Sequence, residues 1–230
     1  MLISNGPRRA LPDKRPLFYY ITDRRQLAGI SLDACIRRAL HWGIDFIQIR
    51  EKDLSDRALY ELTCHTVALA RTTGSKILVN GRADIALAAG AHGVHLPSKG
   101  MQASEIRPWL PRNFLIGISV HTLREIRAAC EQGADYFLVG HVFPTSSKEG
   151  YGQPLGLEFL RKACSSTPIP ILGLGGIRPE LITSVLETGA AGIAGISLFQ
   201  NSSDFRGLDK AGNRKQPHRD RCQPVCAGLS

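Results

Sequence analysis

Between residues 17 and 198, short apolar runs rich in β-branched residues alternate with amphipathic stretches, and Gly, Asn or Asp marks most changeovers. Eight of these runs read as strands, at residues 17–22, 45–50, 76–79, 93–96, 115–118, 135–139, 169–172 and 191–196. The stretches between them predict helices at 31–42, 55–73, 83–89, 102–110, 122–132, 155–164 and 180–188. Near-continuous apolar strands separated by helices imply a parallel sheet with both faces covered. Eight such units close into an α/β TIM barrel, a single (β/α)8 domain over residues 17–200.

Gly43-Ile44-Asp45, Gly90-Ala91-His92, Gly133-Ala134-Asp135 and Gly189-Ala190-Ala191 each precede a predicted strand. All four read as helix C-caps entering an αβ turn, the trace of a repeated βα unit. The ends of the chain are different in character. Residues 1–16 are polar and basic and read as a loose arm. Residues 201–230 run polar and basic without helical period, so the eighth helix is doubtful and the segment reads as a disordered or aberrant tail, the product of a frameshift or an artefact.

Composition refines this picture. The 230 residues are 43% hydrophobic and 21% charged, an ordinary globular balance, with a net charge of +9. The two terminal segments and the body 17–200 each hold +3, and the body has no basic stripe interleaved with aromatics. Nucleic acid is therefore excluded as a partner of the body, whereas a cleft of focused cations for small anions is compatible with it. No apolar run is long enough to cross a membrane and residues 1–16 lack a leader-type apolar core, which predicts a cytoplasmic protein without membrane association. Homo-oligomerisation is possible.

Six cysteines are scattered along the chain, four of them within predicted helices, and read as reduced core thiols. Cys222 and Cys226 with His218 make at most half of a zinc site.

In such barrels the chemistry sits at the C-terminal strand ends. There the seventh and eighth units carry Gly173-Leu174-Gly175-Gly176-Ile177 and Gly192-Ile193-Ala194-Gly195-Ile196-Ser197. Backbone at Gly175, Gly176, Ile196 and Ser197 suits a phosphate cradle. Strand two ends in Gln48-Ile49-Arg50-Glu51-Lys52, where alternation puts Gln48 and Arg50 on one face and Lys52 close by, able to grip an anion or a heterocycle. A long loop from Gly140 to Gly152 includes Thr145, Ser147 and Lys148 and can fold over an anionic ligand. His95, His121 and His141 end strands four, five and six, and a rim histidine can both take and return a proton. Their spacing fits no zinc signature, and no metal site is expected.

Taken together, Gln48-Ile49-Arg50-Glu51-Lys52, Asn80, Ser119, Thr145-Ser146-Ser147-Lys148 and Gly175-Gly176 resemble the thiamine phosphate synthase superfamily over residues 17–198. That resemblance implies two possible chemistries. Synthases join a pyrimidine diphosphate to a thiazole phosphate with Mg2+, and carry carboxylates at the positions of Gly81 and Gly100. Tautomerases of the TenI type aromatise a thiazole carboxylate phosphate without a metal. The two glycines, with Asn80-Gly81-Arg82 and Gly140-His141-Val142-Phe143, point to the tautomerase branch. On that basis the chain is expected to be an isomerase without a cofactor, with His121 and His141 catalytic. Gln48, Arg50, Lys52, Asn80, Ser119, Thr145, Ser147 and Lys148 are expected to bind substrate. The alternatives are a Mg2+-dependent thiamine phosphate synthase and a non-catalytic thiazole phosphate binder.

Overall fold

The computed structural model describes residue 11 and residues 16–27, 29–145 and 152–202. Eight parallel strands, β1 (Leu17–Ile21), β2 (Phe46–Ile49), β3 (Lys76–Asn80), β4 (Gly93–Leu96), β5 (Leu115–Val120), β6 (Tyr136–Gly140), β7 (Ile171–Leu174) and β8 (Gly192–Gly195), form a barrel in chain order. Closure comes from the pairing of β1 with β8, Leu17 opposite Gly192 and Tyr20 opposite Gly195. Residues 28 and 146–151 lie outside the description, as do nearly all of the predicted arm and tail, together with Ser147, Lys148, His218, Cys222 and Cys226.

The helices are α1 (Leu32–His41), α2 (Asp56–Ala70), α3 (Ala83–Ala88), α4 (Ala103–Ile106), α5 (Leu123–Glu131), α6 (Gly156–Ser165), α7 (Ile182–Leu186) and α8 (Ser197–Gln200). Their starts follow local chemistry. Ser31, Ser55 and Thr122 each accept a backbone N–H from three residues onward, satisfying donors that the first turn leaves open. Two expected helices are shortened. Residues 102–110 resolve into α4 followed by a 3-10 turn at Arg107–Trp109, and 180–188 into a 3-10 turn at Pro179–Leu181 followed by α7, with a proline in the first turn of each 3-10 segment. The doubted eighth helix is present as the single turn α8, whose Phe199 packs on Phe18 and Tyr20.

Apolar side chains segregate into two clusters. The larger lies between strands and helices and includes Ile36, Ile47, Ile77, Val94, Ile126, Phe137, Leu160, Val185 and Ile193. The smaller fills the barrel, with Leu17, Tyr19, Phe46, Leu78, Leu115, Tyr136, Leu138, Leu172 and Ala194. This alternation along each strand fixes which residues face the barrel axis. Arg107 anchors the lower end of β5 and β6, donating to Asp135 at 2.6 Å and to the carbonyls of Phe114 and Gly133 at 2.7 and 2.9 Å. The described cysteines, Cys35, Cys64, Cys130 and Cys164, are free thiols. No helix among the described residues is long and apolar enough to cross a membrane.

Candidate active site

Tyr19 on β1 and Tyr136 on β6 reach into the barrel from different sides and meet, their hydroxyl oxygens 2.9 Å apart. Both rings stack with Phe46, at centroid distances of 5.6 and 6.1 Å. Tyr19 donates to Gln48 Oε1 at 2.9 Å, and the Gln48 amide in turn donates to Asn80 Oδ1 at 2.9 Å. On the other side, His95 Nδ1 lies 3.3 Å from the Tyr136 hydroxyl and His95 Nε2 lies 2.8 Å from Ser119 Oγ. Six strands thus contribute one side chain each to a continuous polar layer beneath the mouth. Of the predicted contacts, Gln48, Asn80 and Ser119 belong to this layer.

Burial sets the protonation of the layer. Desolvation raises both tyrosines above their ordinary value, so they stay protonated. The same desolvation, with the Arg50 charge nearby, lowers His95 to about 3 and leaves it neutral.

Above this layer Arg50 follows β2. Its backbone N–H donates to Thr22 Oγ1 at 3.0 Å and its guanidinium stands 3.8 Å from Asp23. The Arg50 charge, then partial burial, lowers the Lys52 ammonium below its usual value. Two cations held this close are suited to sharing one polyanion. Asp23 is fastened from the far side, because Gln200 on α8 donates to the Asp23 carbonyl at 2.9 Å and accepts from the Asp23 N–H and the Tyr20 hydroxyl at 3.1 Å each. The segment carrying Ile196 and Ser197 is thereby tied to the loop that faces Arg50.

Gly175 and Gly176 have φ of 93° and 67°, a region that side chains rarely adopt. A Cβ at Gly175 would lie 2.5 Å from the His141 Cβ, and one at Gly176 would lie 2.5 Å from the Pro144 carbonyl oxygen. The loop after β6 lies directly on this glycine pair, with Phe143 N–H donating to the Gly175 carbonyl at 3.1 Å. Close packing therefore already demands both glycines. His141 is buried in that contact, and Thr145 lies at the end of the described part of the loop.

His121 stands apart from the buried layer. Its backbone N–H donates to Glu125 at 2.6 Å and its Nδ1 lies 3.4 Å from the same carboxylate, at the start of α5. The partners that sequence reasoning missed are Tyr19 and Tyr136, because an aromatic inside an apolar strand carries the same signal as core.

The carboxylates near the rim do not fit a Mg2+ site. Asp53 is held by Arg24 and Arg25 at 2.9 and 3.1 Å, Asp84 by Arg82 at 2.7 Å, and Asp56 by the same Arg82. Glu51 has a buried oxygen, Oε1, without a partner, but the side chain is only 1% exposed and its other oxygen faces Arg24. Among the described residues no group of three or more His, Cys, Asp or Glu could hold a metal.

Residues 18–199 match the family model described as thiamine monophosphate synthase. A protein of Geobacter sulfurreducens named "Putative thiamine-phosphate synthase" is 44% identical over 82% of this chain and 88% of its own length. The thiamine-phosphate synthase of Roseiflexus castenholzii is 37% identical over 87% of this chain and 88% of its own. Among solved structures, a thiamine phosphate pyrophosphorylase from Pyrococcus furiosus superposes with a TM-score of 0.77 at 36% identity, covering 86% of this chain and 96% of that one. These relatives overturn the expected tautomerase and isomerase activity, since they are named as synthases. The error lay in the weight given to Gly81 and Gly100. The two glycines remove two possible metal ligands, while Arg50 and Lys52 remain beside each other after β2.

Proposed function

We propose a function for this chain from its family: it belongs to the thiamine monophosphate synthase family, and its barrel joins a pyrimidine diphosphate to a thiazole phosphate with release of diphosphate. The observation that carries this is the Gln48 and Asn80 pair at the mouth, bonded at 2.9 Å and followed along β2 by Arg50 and Lys52. An amide pair suits a nitrogen heterocycle, and adjacent cations suit the leaving diphosphate.

In this transfer a ring nitrogen of the thiazole attacks the carbon that bears the diphosphate. The new C–N bond forms as the C–O bond breaks, and the electron pair leaves on the diphosphate oxygen. No proton has to move, so His121 and His141 are not required as acid or base. Gln48, Asn80 and Ser119 orient the pyrimidine, while Arg50 and Lys52 balance the charge that grows on the leaving group. Backbone at Gly176, Ile196 and Ser197 holds the thiazole phosphate, and Thr145, Ser147 and Lys148 add hydroxyl and ammonium groups for substrate binding. No step is routed through Mg2+, because Asp53, Asp56 and Asp84 are already engaged by guanidinium groups and Glu51 is buried beside Arg24.

Mixing both substrates with the protein and measuring diphosphate release together with the coupled product tests this function. Release that depends on both substrates supports it. Binding of both without release contradicts it.

A further inference from the structure

Three of the αβ turns share one device, and one of the three changes its chemistry. Asp45, after Gly43-Ile44, accepts the Phe18 N–H through Oδ2 at 2.8 Å, and Asp135, after Gly133-Ala134, accepts the Ile116 N–H in the same way at 2.8 Å. His92 stands at the corresponding place after Gly90-Ala91 and accepts the Ile77 N–H through Nδ1 at 3.1 Å. An imidazole that accepts at Nδ1 is neutral, with its hydrogen on Nε2. The backbone hydrogen bond is kept and the negative charge is lost. Between β5 and β6 that charge has a task, since Asp135 neutralises Arg107 at 2.6 Å.

Between β3 and β4 the cations are present without the carboxylate. His92 lines a cleft of about 450 Å3 with Arg71 and Lys76, against apolar Val67, Ala70 and Ala89. No carboxylate lines it, and neither Arg71 nor Lys76 forms an ion pair among the described residues. Lys76 opens β3 and His92 immediately precedes β4, so the cleft lies at the N-terminal strand ends, on the face opposite the mouth. We propose that this cleft is a second anion site, built for a phosphate monoester and separate from the site of the transfer. The proposal does not rest on the synthase function above.

Cations at helix C-termini ordinarily serve the last carbonyls. Here those carbonyls are already satisfied: Ala70 accepts from the Thr73 N–H and hydroxyl at 3.0 Å each, Leu87 from the Gly90 N–H at 3.1 Å and Ala86 from the Ala91 N–H at 2.8 Å. Thr73 has thus spent its hydrogen, and Ser75 spends its own on the Ile44 carbonyl at 2.6 Å. Recognition of an anion therefore falls to the guanidinium and the ammonium. A phosphate monoester brings about two negative charges at neutral pH, which matches two cations. The phosphate group fills a small part of the cleft, and the apolar wall of Val67, Ala70 and Ala89 suits the organic part of the ester.

NMR titration of the 15N-labelled full chain, read at the amides of Gly74, Ile77 and Gly90 at constant ionic strength, tests the site with inorganic phosphate and phenyl phosphate in separate arms. Saturable shifts are expected in both, with phenyl phosphate bound at least about fivefold more tightly because its ring covers the apolar wall. His92→Asp keeps an acceptor for Ile77 and introduces the carboxylate found at positions 45 and 135, and is expected to weaken both probes by more than about tenfold. His92→Asn keeps the acceptor without the charge and should stay within about threefold of the wild type. Arg71→Gln combined with Lys76→Gln should abolish saturation, and Arg50→Gln at the mouth should leave it unchanged. Absence of saturable shifts in the wild type overturns the proposal, as do affinities unchanged in both His92→Asp and the Arg71 and Lys76 double variant with the fold intact by circular dichroism. Equal affinity for the two probes overturns the assignment to a monoester. No arm needs turnover, so failure of the coupling reaction leaves the test in place.

Discussion

Gly117 lies beneath the Tyr136 ring, so that a Cβ at position 117 would collide with the ring carbons and the hydroxyl. One strand gives up its side chain so that its neighbour can place a phenol in the barrel. Gly117→Ala is therefore expected to destabilise the protein by about 1–3 kcal/mol through overpacking. Urea denaturation would measure it.

Acid sensitivity is expected from His95. Its folded value is about 3 against roughly 6.5 in an unfolded chain. Above both values the ring is neutral in either state and contributes nothing to the pH dependence. Below about 6.5 the unfolded chain takes up a proton that the folded chain refuses, so stability falls as pH falls. The loss between pH 7 and pH 5 is about 2 kcal/mol. Denaturation curves of wild type and His95→Gln should show a shallower pH slope in the variant.

Arg50 and Lys52 are expected to bind diphosphate directly. Arg50→Gln should weaken the affinity for inorganic diphosphate by about tenfold, and Lys52→Gln should weaken it in the same direction. Calorimetry in a chelating buffer would read both. Unchanged affinity in the two variants would remove these cations from the account.

Gly81 gives a complementary prediction. Its φ is 68° and the nearest atom to an added Cβ is a Pro97 carbon at 3.9 Å, so Gly81→Asp fits sterically at about 1 kcal/mol of backbone strain. The wild-type affinity for diphosphate should be indifferent to Mg2+, whereas that of the variant should rise with it. A strong Mg2+ response in the wild type would contradict the charge balance proposed for the rim.

Much of this architecture was legible in the chain because β-branched runs bounded by glycine have one economical packing, a closed parallel barrel. Gln48, Asn80 and Ser119 were legible as polar residues ending apolar strands. Tyr19 and Tyr136 were not, since only the three-dimensional closure shows that their hydroxyls meet at 2.9 Å. Gly175 and Gly176 read as phosphate glycines, yet their contacts with His141, Phe143 and Pro144 require them for packing as well. The reaction itself was misjudged from Gly81 and Gly100, because losing two carboxylates says what is missing at the rim. It does not say that Arg50 and Lys52 remain beside each other to meet an anion.

The central claim is the coupling reaction, and it is tested most directly by the stoichiometry of diphosphate released against coupled product formed, with and without a chelator. One diphosphate per product, with no release when either substrate is omitted and with the rate retained in the chelator, is the predicted result. No diphosphate released from the complete mixture, under conditions where both substrates bind, would contradict the account.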